Sequence, residues 1–485
     1  MKEPVNRKKI IQVLGTSSNA GKSTIVMAIC RFLSRKGYQV APFKSMNMSL
    51  NSVAIDGGHE IPRSQWLQAF AASTPPLKEM SAILLKPEGK EGSQVIVNGK
   101  SMGVMSIDTY YRYLVENGKQ VVKDSLDYLC DHFDVVVAEG AGSPAEINLM
   151  ERDIANIYVS AIYDTPAILA GDIERGGVFA SLFGTVKLMP RPDLVKGMVI
   201  NKMRGSKDLL GSGIKKIEDL TGIPVIGILP YVDGVFLPGE DSQDYDRTRL
   251  DNPNICLVRY PRMENYSDTD PFIIYGTGYH NVTSSNARDL DMAKTIILPG
   301  SKNVETDLEY IRNSGIYEKL QDARRRGATI FGICGGYQML GKIISDPEGV
   351  QIRKRRIEGL GFLDLATEYS GVKKVDSVEY ELGYQGFSHP AAGKGYEIHY
   401  GTVFSNEKQH LLNIGDRKEG SVSPDGKVIG TNVHGIVENR DFTSYITGEK
   451  IPDVIYSEEL MRRIDIITNY FIENMDMSYI ERLVK

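Results

Sequence analysis

The chain has 485 residues, more than one hydrophobic core usually organises, so two or three domains are expected. Hydrophobic residues make up 41% and charged residues 25%, the balance of a soluble globular enzyme. A net charge of −5 and a pI near 5.9 exclude a broad basic footprint for nucleic acid, and no apolar run is long enough to span a membrane.

Ile10–Leu14 is a short apolar run that ends in glycine, not in a cleavage site, and predicts a buried first strand. Thr24–Arg35 carries Ile25, Ala28, Ile29 and Phe32 at helical spacing and is closed by Gly37. Further strands are predicted at Val40–Phe43, Val135–Ala138, Ala167–Ala170, Gly197–Ile200 and Pro224–Ile228, with a helix around Asp124–Leu129. This alternation predicts an α/β fold with a parallel sheet covered by helices. The turn-rich, acidic run from Pro238 to Tyr245, followed by Asp251-Asn252-Pro253-Asn254, marks a linker at 238–252 after a first domain at 1–237. A second α/β pattern occupies 253–445, with strands at Ile255–Tyr260, Thr295–Leu298 and Thr329–Ile333. The remainder, 446–485, reads as an amphipathic helical tail expected to pack on the second domain. Four scattered cysteines (Cys30, Cys130, Cys256 and Cys334) show no metal spacing, which implies a reduced, cytoplasmic setting. The sequence carries no signal for an oligomeric state.

Gly15-Thr16-Ser-Ser-Asn-Ala-Gly21-Lys22-Ser23-Thr24 lies between a predicted strand and a predicted helix. Five residues, one more than usual, separate its first glycine from Gly-Lys, so it is a variant phosphate-binding loop. Backbone N–H groups converge on phosphate in such loops, and the helix N-terminus adds positive potential. Lys22 is the expected partner of the ATP β/γ-phosphates, and Ser23 offers a hydroxyl to Mg²⁺. Carboxylates at strand ends suit the same ion, which selects Glu139 and Asp56. Lys44, expected to close the second strand, is placed to neutralise a transferring phosphoryl group. Asp172 and Glu174 are weaker metal or substrate candidates, and Asn201-Lys202 a candidate lining for the base.

In the second half, Thr329-Ile-Phe-Gly-Ile-Cys334-Gly335-Gly336-Tyr337 reads as strand, tight turn and helix. A cysteine at such a turn exposes its thiol at a helix N-terminus, and the N–H of the next residue, Gly335, can serve an oxyanion. A second strand-to-turn element, Leu298-Pro299-Gly300-Ser301-Lys302-Asn303, offers further N–H groups at Gly300 and Ser301. The partner base is His434, before Gly435, or His399, on a strand-like run; local chemistry leaves both open.

The Cys334 elbow with His434 resembles a class I glutamine amidotransferase domain, and the Gly15–Thr24 loop resembles a dethiobiotin-synthetase-like ATP domain. Their fusion in this order resembles the cobyrinic and cobyric acid synthases. Pro42-Phe43-Lys44-Ser45, Asn47–Ser52, Leu84-Leu85-Lys86-Pro87, Gly92–Val95, Glu139–Asn148, Leu298–Asn303 and Gly395–His399 resemble the adenosylcobyrate synthase branch. The resemblance implies ATP- and glutamine-dependent amidation of the b, d, e and g carboxylates of a corrinoid, adenosylcobyrinic acid a,c-diamide, in cobalamin biosynthesis. It also implies His434 as the base, and phosphate and Mg²⁺ roles for Ser23, Asp56 and Glu139. The partners expected are small molecules (glutamine, ATP, the corrinoid), with neither nucleic acid nor membrane. Two departures stand out: position 436 is Ile, where class I amidotransferases carry an acid, and Met46 stands where the family often has Gln. The competing readings are an a,c-diamide synthase, a partitioning-type ATPase switch, and a binding subunit with a decayed amidotransferase. Thr16 stands where partitioning ATPases carry lysine, and intact Cys334 and His434 oppose decay.

Overall fold

The structure, a computed structural model, describes residues 9–88, 92–239, 250–387 and 391–485. Residues 240–249, most of the expected linker, lie outside the described residues. Two compact units emerge: Met1–Ser49, Ile61–Glu240 and Met461–Lys485 form the first, Leu50–Glu60 and Asp241–Leu460 the second.

The first unit is built on a nine-stranded sheet. Its strands are β1 (Ile10–Gly15), β2 (Val40–Met48), β3 (Ser81–Pro87), β4 (Ser93–Val97), β5 (Lys100–Met105), β6 (Val135–Glu139), β7 (Ala167–Asp172), β8 (Val195–Met203) and β9 (Val225–Pro230). Their order is β9-β8-β7-β1-β6-β2-β3-β4-β5, parallel from β9 to β3 and antiparallel across β4 and β5. Central strands buried on both faces read as continuous apolar runs, which is why β1 and β6 were legible. Helix α1 (Lys22–Arg35) starts two residues before the predicted helix and buries residues nearly all round, from Ile25 to Leu33. Strand β2 runs past the predicted Phe43, so Lys44 lies inside the strand, paired in register with Glu139.

Of the expected tail at 446–485, Met461–Lys485 belongs to this first unit and not to the second, whereas 446–460 stays with the second. Asp465 takes a two-pronged hydrogen bond from Arg31 of α1, at 2.7 and 3.0 Å, and the Asp476 N–H donates to Ile226 O at 2.7 Å. An amphipathic period specifies that a helix buries one face, not which partner covers it.

The second unit centres on a six-stranded sheet of β10 (Ile255–Val258), β11 (His280–Val282), β12 (Thr295–Leu298), β13 (Thr329–Ile333), β16 (Ser421–Val422) and β17 (Val428–Thr431). The order is β11-β10-β12-β13-β17-β16, with only β16 antiparallel to its neighbour. A long antiparallel hairpin, β14 (Leu365–Leu382) and β15 (Ala392–Ser405), pairs through β15 with the short strand β18 (Val433–His434). The core of this unit gathers Val258, Ile296, Leu298, Ile330, Tyr337 and Val428. The segment Leu50–Glu60 holds the strand Ser52–Ile55 and the start of the strand His59–Pro62 that pairs with it, a strap that lies in sequence within the first half. Its Val53, Ala54 and Ile55 are buried, and Glu60 forms a buried ion pair with Lys373 at 2.6 Å.

Candidate active sites

In the first unit the loop after β1 sits where parallel-sheet folds bind ligands, beyond the carboxyl ends of the strands. Gly15 closes β1, and the Thr16 N–H donates to Ala170 O at 2.9 Å. Gly21, at φ +92°, enters α1 in the left-handed region; a Cβ there would stand 2.0 Å from Asn201 Nδ2. The buried Lys22 ammonium donates to Ser17 O and Gly142 O at 3.0 and 3.1 Å, bridging the loop to the segment after β6. Thr24 occupies the first turn of α1. Asn201 and Lys202 hold the loop from β8, donating to Ala20 O at 2.9 Å and Asn19 O at 2.7 Å. Asp172 is paired with Lys202 at 2.9 Å and Glu174 with Arg204 at 3.1 Å.

Glu139 is the hub of this site. Its Oε1 accepts from Ser23 Oγ at 2.8 Å and from Lys44 Nζ at 2.7 Å, while Oε2 accepts from Gln68 Nε2 at 2.6 Å. A hydroxyl beside a carboxylate at a strand end supplies the hard oxygens that Mg²⁺ selects, and the Lys44 ammonium already sits on the same carboxylate oxygen. Ser23 and Glu139 therefore fit the ion. Among the described residues no group of three or more His, Cys, Asp or Glu converges. Asp56 is not among the partners of Glu139: it occupies the exposed turn of the strap, in the second unit. Gln68, on the helix Arg63–Ala71, escaped sequence reasoning because nothing in its local pattern distinguishes it from a solvated helix glutamine.

In the second unit Cys334 stands between β13 and the helix Gly335–Leu340 with φ +51°, a strained conformation for a non-glycine residue. Its N–H donates to Thr431 O at 2.8 Å, fixing the turn against β17. Glycine is required at the first two positions of the helix. A Cβ on Gly335 would lie 2.7 Å from Ser301 N, and one on Gly336 would lie 2.0 Å from Leu298 O. The backbone of Ser301 thus abuts the elbow. The Ser301 hydroxyl donates to Asp307, whose carboxyl burial pushes up to about 6.

His434, 1% exposed, ends β18 near enough to Cys334 for the thiol to raise its basicity, while the Cys334 Sγ itself donates to Ile398 O at 3.6 Å. His399 turns elsewhere, its Nδ1 to Gly401 O at 2.8 Å and its Nε2 towards Glu397 at 3.6 Å. The His434 Nδ1 is 2.7 Å from Asp268 Oδ2, while Asp268 Oδ1 accepts the Gly435 N–H at 3.0 Å. Tyr396 stacks on the imidazole with centroids 5.0 Å apart. Burial alone would lower the basicity of His434, but the Asp268 carboxylate, aided by Cys334, raises it to about 10. Asp268 fills the place left vacant by Ile436, and no local sequence signal announces it: it lies 166 residues before His434, in a polar turn after β10.

A family model described as a CobQ/CobB/MinD/ParA nucleotide binding domain matches residues 11–243, and one for a CobB/CobQ-like glutamine amidotransferase domain matches residues 254–442. A probable cobyric acid synthase of Thermoplasma acidophilum is 52% identical over 94% of this chain and 96% of its own length. The chain belongs to the cobyric acid synthase family. A probable cobyric acid synthase of Picrophilus torridus is 53% identical over 91% of this chain and 92% of its own length. The cobyric acid synthase of Nostoc punctiforme is 42% identical over 89% of both. As a member of this family the chain is a glutamine-hydrolysing amide ligase with a nucleotide-binding domain. Among the described residues, no helix is long and apolar enough to cross a membrane.

Proposed function

We propose that this chain amidates the b, d, e and g side-chain carboxylates of adenosylcobyrinic acid a,c-diamide in the cytoplasm, drawing nitrogen from glutamine and driving force from ATP. The observation that carries the reading is the pairing, in one chain, of a Cys334–His434–Asp268 constellation with a Lys22–Ser23–Glu139 phosphate loop. In the second unit the Cys334 thiolate attacks the carboxamide carbon of glutamine, and its carbonyl oxygen takes up the negative charge beside the N–H groups of Gly335 and Ser301. His434 gives its proton to the departing ammonia as the tetrahedral adduct collapses to a thioester. Water, deprotonated by His434, then releases glutamate and restores the thiol. Asp268 keeps the imidazole oriented and stabilises its charged form.

In the first unit a corrinoid carboxylate oxygen attacks the γ-phosphorus of ATP, ADP leaves, and an acyl phosphate forms. Ammonia then attacks the acyl carbon and expels phosphate, leaving the amide. Lys22 and the loop N–H groups hold the phosphates, and Lys44 neutralises charge on the transferring group. Ser23 and Glu139 would hold Mg²⁺, which supplies Lewis-acid polarisation of the phosphates when bound. Asp56, exposed on the strap, is kept as a candidate ligand of the ion. The test is Cys334→Ala, which is expected to abolish glutamine-supported amidation and spare ammonia-supported amidation; loss of both, with an unchanged melting curve, would refute separate sites.

A further inference from the structure

The strap makes one contact that the reaction above does not use. Leu50 O accepts the Asn265 N–H at 3.2 Å, Asn51 Oδ1 accepts from Ser267 Oγ at 2.8 Å, and the Ser52 N–H donates to Asn265 Oδ1 at 3.0 Å. Ser52 is itself anchored, its hydroxyl donating to Glu60 at 2.7 Å, and Glu60 is paired with Lys373. Three successive strap residues thus grip the turn that carries Asp268. Asn265 is 1% exposed, and its backbone, at φ +50°, is in the left-handed region that asparagine tolerates.

The Ser52 N–H fixes which way the Asn265 carboxamide faces. With Oδ1 committed to a backbone donor, the Nδ2 amide hydrogens are the end that points at His434, and Nδ2 lies 3.4 Å from His434 Nε2. That nitrogen is also the one left to serve Cys334, because Nδ1 faces Asp268. A donor aimed at Nε2 occupies its lone pair, so it favours the neutral ring and competes with the thiol for the same acceptor. It also meets a protonated Nε2–H head-on, which disfavours the imidazolium.

Building on the assignment of Cys334 and His434, we propose that Asn265 is a positioning residue that restrains the glutaminase site, held in its restraining orientation by the Ser52 N–H of the strap. The strap follows β2 directly in sequence but belongs to the second unit, with the turn it grips. The other titratable groups facing the Cys334–His434 pair, among the described residues, are Asp268, Tyr260, Tyr369 and Tyr396. Of these, only Asp268 is a carboxyl group, and it faces Nδ1, not Nε2.

The full chain is compared with Asn265→Gly and Asn265→Asp, two residues that suit the left-handed backbone. Glycine removes the donor; aspartate keeps an acceptor for the Ser52 N–H and puts a carboxylate oxygen in place of the N–H group. Two quantities are read: glutamine hydrolysis without ATP or corrinoid, and the pH dependence of the His434 ¹⁵N signals in histidine-labelled protein, assigned with His434→Asn. Both variants are expected to hydrolyse glutamine about threefold faster, the worth of one weak neutral hydrogen bond. The protonation midpoint of His434 should rise by about half a unit in Asn265→Gly and further in Asn265→Asp. Ammonia-supported amidation should stay unchanged. A folded variant whose His434 midpoint does not move overturns the restraint, and so does one that hydrolyses glutamine more slowly. If one variant fails to fold, the other decides. Failure of the underlying reading is separate, because it would show as glutamine hydrolysis surviving Cys334→Ala.

Discussion

Replacing Asp268 with asparagine changes one atom and, on the geometry here, removes the base from the thiol site. Asp268 Oδ1 accepts the Gly435 N–H at 3.0 Å, so an asparagine would keep its carbonyl oxygen on that donor and present N–H to His434 Nδ1. Nδ1 would then have to accept, placing the ring proton on Nε2, where it cannot take a proton from Cys334. In the Ser–His–Asp logic such a tautomer error costs kcat up to about 10⁴-fold; because a cysteine is intrinsically more nucleophilic, we expect about 10³-fold here, or ~4 kcal/mol. The assay is glutamine-supported against ammonia-supported amidation in the same preparation, and only the first should fall. Stability supplies an independent readout. Asp268 raises His434 from 6.5 to about 10, so this contact stabilises the fold fully below pH 6.5 and loses its contribution as pH rises through 10. The melting-temperature deficit of Asp268→Asn should therefore be largest near pH 6 and narrow towards pH 10. A loss of less than about tenfold in glutamine-supported turnover, in a protein with this melting behaviour, would refute Asp268 as the orienting group.

Lys22→Ala should reduce amidation from either nitrogen source by about 10²- to 10³-fold while leaving glutamine hydrolysis measurable, because the role proposed for the lysine is on the phosphates, in the first unit. Gly336→Ala would press a Cβ to 2.0 Å from Leu298 O, a backbone atom of a central strand, so it should destabilise the second unit by about 3 kcal/mol in a denaturant titration. His280 bridges Asp251 and Asp289 at 2.7 and 2.8 Å; burial pulls its basicity down, but the two carboxylates raise it overall. Its contribution is present in full below the ordinary histidine range and lost as pH rises through the folded value, so His280→Gln should lower the melting temperature at pH 6 and have little effect at pH 9.

What the sequence revealed was local. The phosphate loop and the cysteine elbow each join a buried strand to a helix through glycines whose backbone no other residue fits, so both can be read within a dozen residues. Glu139 was legible for the same reason, as the last residue of an apolar strand. Contacts made across the fold were not. Asp268 reaches His434 from another loop, and Gln68 reaches Glu139 from a helix whose pattern gives no hint of it. Lys44, expected to close the second strand, lies within it, and the strand continues to Met48 because its neighbours β3 and β6 extend the ladder. The strap and the tail exchange expected partners, since amphipathic pattern fixes which face is buried and leaves the covering surface to the tertiary fold.

The central claim is that glutamine nitrogen reaches corrinoid carboxylates through these two sites. It is tested most directly by incubating the full chain with ATP, Mg²⁺, amide-¹⁵N glutamine and adenosylcobyrinic acid a,c-diamide, and following the corrinoid by mass spectrometry. The account predicts four successive exchanges of hydroxyl for a ¹⁵N amino group, with ATP consumed at each. A corrinoid that gains no ¹⁵N while glutamine and ATP are both hydrolysed would contradict it.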